Sequence, residues 1–106
     1  MQIELSTDGN IDGREALATQ IDEVVKNALS RFSDQITRVE VHLSDQNSDK
    51  KGGDDDMRCM MEARLEGRKP IAVTNHAATV DQAFDGAAEK LARLIESTLG
   101  RLHDRR

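Results

Sequence analysis

The chain has 106 residues, enough for one domain over residues 1–106 with a single core, without disulfide or metal staples. Two phenylalanines and no Trp or Tyr rule out a site that stacks bases on aromatic rings, and the core must be aliphatic. A net charge of −5 argues against strong non-specific binding to nucleic acid, DNA included, because that requires many uncompensated Lys and Arg.

The charge is uneven. Residues 1–56 hold 13 acidic and 6 basic side chains, net −7, whereas residues 57–106 hold 7 and 9, net +2. Any nucleic-acid face therefore belongs to the second half. The single cysteine, Cys59, forms no framework within the chain and suits a reducing compartment. No apolar run is long enough to span a membrane, and no basic-then-apolar leader opens the chain, so the expected location is cytoplasmic with no membrane partner.

Met1–Ser6 alternates apolar and polar residues, as a half-buried strand does, and Thr7-Asp8-Gly9-Asn10 is turn chemistry. Asp12 with Glu15 has the spacing of a capping box, which predicts a helix from there to about Phe32. Its apolar face is Leu17, Ile21, Val24, Val25, Ala28 and Phe32. Thr37–Ser44 is the clearest strand, with Val39, Val41 and Leu43 inward. Residues 45–56 contain no apolar side chain and read as a long hairpin connection. Met57–Leu65 alternates again, with Cys59, Met61, Ala63 and Leu65 inward; Glu66–Lys69 is a turn, and Pro70–Asn75 a short strand.

The last element is the longest. From Thr79 to Leu102, Val80, Phe84, Ala87, Ala88, Leu91, Ile95, Leu99 and Leu102 share one helical face, and Thr79 with Gln82 makes a capping box. The polar side carries a stripe of Lys90, Arg93, Ser97 and Arg101 beside an acidic one of Asp85, Glu89 and Glu96. Gly86 inside the helix costs about 1 kcal/mol relative to alanine, so close packing beside Ala83, Ala87 and Ala88 is expected. The order β-α-β-β-β-α predicts an α+β two-layer sandwich, with two helices on one face of a four-stranded sheet and the last three strands in an antiparallel meander.

No catalytic constellation emerges. Cys59 has no neighbouring histidine in the pattern and should lie inside as a small hydrophobe; His42, His76 and His103 sit on separate elements without zinc spacing. Asp45, Asn47, Asp49 and Asp56 fall at positions 1, 3, 5 and 12 of a calcium loop, but Lys50 stands where glycine is needed and strands flank the segment. No enzyme activity, metal or other cofactor is expected.

Read together, these elements resemble the ribosome hibernation-promoting factor family in its short form, also known as sigma-54 modulation proteins or ribosome-associated translation inhibitors. The resemblance covers nearly the whole chain: the opening Met1-Gln2-Ile3 strand, Glu15-Ala16-Leu17, Phe32 before the Ile36–Leu43 strand, and above all Ala83-Phe84-Asp85-Gly86 followed by Glu89-Lys90-Leu91-Ala92-Arg93. It implies a fold similar to the double-stranded RNA-binding domain, and a non-catalytic protein that binds the small ribosomal subunit and its rRNA in stationary phase or stress. Lys90, Arg93 and Arg101 are then the expected rRNA contacts, with Arg31, Arg68 and Lys69 secondary. The chain departs from the pattern on its first helix, where Val24 and Asn27 occupy positions that often hold lysines, and in the second, where Glu96-Ser97-Thr98 interrupts the basic stretch. These departures, with the net charge, keep a second expectation alive: a non-ribosomal, protein-binding regulatory module on the same fold. Met60, Ala72 and Thr74, facing outward, are compatible with a monomer or a weak homodimer.

Overall fold

A computed structural model describes residues 1–8, 11, 13–45 and 57–104, with side chains described through residue 100. The strands are β1 (Gln2–Thr7), β2 (Ile36–Asp45), β3 (Met57–Leu65) and β4 (Ile71–Ala77); the helices are α1 (Arg14–Leu29), followed by a 3-10 turn at Ser30–Phe32, and α2 (Val80–Asp104). The sheet order is β1-β2-β3-β4. β1 runs parallel to β2, as a strand reached through a helical crossover does, and β2, β3 and β4 form the expected antiparallel meander. The α+β fold class thus holds. The acidic segment 46–56, with the calcium-loop reading of Asn47, Asp49, Lys50 and Asp56, lies outside the described residues, as do Gly9, Asn10 and Asp12.

The core follows from the two periodicities. Alternate residues of the central strands, Val39, Val41, Leu43, Cys59, Met61, Ala63 and Leu65, point to one face and are buried. Against them pack Leu17, Ile21, Val25 and Leu29 of α1, and Ala83, Phe84, Ala87, Ala88, Leu91 and Ile95 of α2. Val24 and Ala28, expected on the α1 core face, sit at its margin and are half-buried.

Of the boundaries that differ from the sequence reading, four have a local reason. At the start of α1, Gly13 occupies the cap position with φ 70°, in the left-handed region that favours glycine, while Asp12 of the expected capping box lies outside the described residues. The α-helix stops at Leu29, where the Ser30–Phe32 turn tightens to 3-10 geometry and tucks Phe32 into the core. β2 begins at Ile36, one residue early, because a bulge between Ile36 and Arg38 lets Ile36 and Val39 both face inward. Thr37, the extra residue, donates its hydroxyl to the Arg64 carbonyl at 3.1 Å. β4 runs on to Ala77, beyond the expected Asn75, because His76 and Ala77 keep their register opposite Arg58 and Met57.

A candidate nucleic-acid interface on the α2 flank

α2 returns antiparallel to β4. The Asn75 side-chain amide donates to the carbonyls of Gln82, at 3.3 Å, and Ala83, at 3.1 Å, while the Lys90 ammonium donates to the Thr74 carbonyl at 3.1 Å. As residue numbers fall along the strand they rise along the helix. Thr79 starts the helix as expected, its hydroxyl accepting the Gln82 N–H at 3.1 Å and its carbonyl the Ala83 N–H.

This geometry divides the expected contact residues. Lys90 remains exposed while resting on the β4 edge, and an ammonium with one donor engaged keeps two for a phosphate. Arg93 lies about one helical turn further on, exposed and without an ion-pair partner among the described residues. Arg68 and Lys69 are exposed in the turn leading into β4, where Gly67 takes φ 73°. Lys90 therefore lies against β4, with Arg93 following it on α2, while Arg68 and Lys69 stand in the turn that leads into the same strand. Arg101 belongs to the last turns of α2, but its side chain lies outside the described residues.

Arg31 does not join them. Its guanidinium pairs with Glu96 at 3.0 Å across the helix–helix boundary and lies 4.9 Å from the centre of the Phe32 ring. The acidic stripe expected along α2 is what draws it there, so Glu96 neutralises a cation that could otherwise extend the flank onto the α1 side.

The uncovered sheet face supplies no compensating positive field. Register sets Glu4, Glu40 and Glu62 side by side across three strands, a like-charge row that needs cations to stand. Arg38 bridges Glu4 at 2.7 Å and Glu40 at 3.1 Å, His42 lies 3.4 Å from Glu40, and Arg64 lies 4.0 Å from Glu62. Sequence alternation placed these side chains outward but did not reveal the row, since cross-strand register is a property of the pairing. The tie from Asn75 to α2 is likewise invisible in the sequence, because an Asn in a strand carries no signal of a distant helix carbonyl.

Cys59 is buried beneath the sheet, and desolvation pushes its thiol from 9.0 to about 12, opposed by the nearby Arg58 charge. At neutral pH it is a packed thiol, not a nucleophile. Among the described residues, no His, Cys, Asp and Glu side chains group into a metal-holding set, and no helix is long and apolar enough to cross a membrane.

The fold and its charges define a small α+β domain with a mixed four-stranded sheet, one covered face and a cationic flank. Its architecture is similar to the N-terminal domain of Thermus thermophilus Protein Y, with a TM-score of 0.73 and 21% identity over 92% of this chain and 99% of that one. It is also similar to a ribosomal subunit interface protein from Coxiella burnetii, with a TM-score of 0.67 and 14% identity over 94% and 99% of the two chains. At these identities the likeness is one of fold. No curated protein matches by sequence. The model of the sigma 54 modulation protein / S30EA ribosomal protein family matches residues 3–103, and the chain belongs to that family.

Proposed function

We propose that this protein is a cytoplasmic, ribosome-associated modulator of translation that binds rRNA of the small ribosomal subunit and holds ribosomes idle in stationary phase or stress. The observation that carries the reading is family membership over residues 3–103, joined to the exposed cationic flank of Lys90 and Arg93 within the family-like part of α2. Phosphates are the natural ligands of such a flank. Arg93 offers a fork of donors and Lys90 a point charge, and both position a backbone without reading bases. Arg68, Lys69 and Arg101 extend the contact in this reading. It requires no cofactor and no catalytic step, and it is met by a monomer or a weak homodimer.

Co-sedimentation with ribosomes over a series of salt concentrations tests it. Lys90→Glu with Arg93→Glu should lower the bound fraction at every salt concentration and flatten the log–log salt dependence by about 2, one for each phosphate no longer neutralised. Unchanged sedimentation of the double variant removes these residues from the interface.

The net charge of −5 favours a second reading, a protein-binding regulatory module that keeps the fold without the rRNA contact. Ribosome profiles from stationary-phase cells separate the two. Absence of the protein from all ribosomal fractions, at low and at moderate salt, favours the module; a salt-sensitive small-subunit peak favours the modulator.

A further inference from the structure

On the side of α2 away from Lys90, the two helices leave a groove of about 230 Å³ lined by Gln20, Glu23 and Val24 of α1 and by Asp81, Phe84 and Asp85 of α2. Its two parts differ in character. Val24 is half-buried and Phe84 almost fully buried, so the base is apolar; Glu23, Asp81 and Asp85 are exposed carboxylates around it. No ion pair joins any of the three to a cation among the described residues. Lys26, three residues beyond Glu23, is committed elsewhere: it holds Asp22 at 2.9 Å on its own helix.

These features select an occupant by chemistry. A nucleic-acid backbone is repelled by three carboxylates without cations beside them. An uncharged apolar ligand would make no use of them. A polypeptide with an apolar side chain between basic ones satisfies both parts, since its cations meet carboxylates while its apolar group leaves water. We infer that the α1–α2 groove docks a basic segment of a partner protein, with one apolar side chain against Val24 and Phe84 and flanking Lys or Arg side chains on Glu23, Asp81 and Asp85. The site is separate from the cationic flank. An anionic partner along β4 and a basic partner between the helices can be held together, and the inference stands whether or not the protein binds rRNA.

The test is titration of the isotopically labelled full chain with a short peptide of alternating arginine and leucine at physiological ionic strength, followed by amide chemical shifts. Saturable shifts confined to Gln20, Glu23, Val24, Asp81, Phe84, Asp85 and their neighbours are expected. Glu23→Gln with Asp85→Asn should weaken binding about tenfold or more, since it removes charge partners at the groove. Asp34→Asn with Glu66→Gln changes net charge equally and should leave binding unaltered. All four positions are exposed, so both double variants should fold. An arginine–glycine peptide should bind more weakly than the arginine–leucine one. Equal losses in the two double variants, shifts spread over every acidic surface, or equal binding of the glycine peptide would each overturn the groove as a docking site. So would the same shifts produced by a single-stranded RNA.

Discussion

Gly86 shows how one residue joins two elements. A methyl group at its Cα would overlap the Asn75 amide nitrogen and lie 2.9 Å from the carbon that bears it, closer than atoms can approach. Its absence lets Asn75 reach the Gln82 and Ala83 carbonyls. The close packing expected at this glycine is thus made by the strand, whose Asn75 side chain presses against the helix. Gly86→Ala should lower stability by about 1–3 kcal/mol, because the overpacking and broken hydrogen bonds outweigh the helix-propensity gain. In an Asn75→Ala background the same substitution should be neutral or stabilising by up to about 1 kcal/mol. Denaturant unfolding of the four proteins checks the change of sign. Cys59 gives a second prediction at this scale. Its folded pKa of about 12 lies above the unfolded 9.0, so between those pH values the folded state retains a proton that the unfolded state releases. Stability should therefore fall as pH rises from about 9 toward 12, by up to about 1.4 kcal/mol per pH unit from this group. The slope difference between the natural protein and Cys59→Ala over that window isolates the effect. Equal slopes would mean that the thiol ionises in place.

Among the elements, α2 was the most legible and α1 the least at its ends. Thr79 with Gln82 states a helix start in local chemistry, and the Gln82 N–H does meet the Thr79 hydroxyl. Thr79→Ala should cost about 1 kcal/mol, and Thr79→Asp should restore most of it, as seen by thermal unfolding. A loss in both variants would show that Thr79 acts through packing and not as a cap. For α1 the same logic pointed to Asp12 and Glu15, but Gly13 in the left-handed region took the cap position. The β2 bulge is a similar case. Alternation predicts Val39, Val41 and Leu43, yet Ile36 is also buried, because an extra residue resets the phase of the strand.

Across the whole molecule, charge is sorted by the packing. The outer strands each have a carbonyl occupied by a basic side chain: Arg14 donates to Leu5 at 2.6 Å on β1, and Lys90 to Thr74 on β4. Such caps discourage strand addition at a sheet edge. Among the described residues, the open face balances its glutamate row with arginines, while Lys90 and Arg93 stand on the α2 flank and three carboxylates rim the interhelical groove. Within the ribosome sedimentation series this sorting makes a graded expectation. Arg31→Glu alone should weaken binding less than Arg93→Glu alone, since Arg31 is already neutralised by Glu96 whereas Arg93 has no such partner among the described residues. A larger effect of Arg31 would move the interface to the α1 side.

Sequence alone determined the element types and order, the inward residues of the central strands, the core face of α2 and the residues that carry the family resemblance. Each rests on local periodicity or on side-chain chemistry within a few residues. Tertiary structure decided what depends on which distant groups meet. It set the parallel pairing of β1, the glutamate row, the hold of Asn75 on α2 and the capture of Arg31 by Glu96. It also divided the polar side of the second helix between a cationic flank and an acidic groove. Charge stripes on a helical wheel become surfaces only when neighbouring elements cover some members and neutralise others.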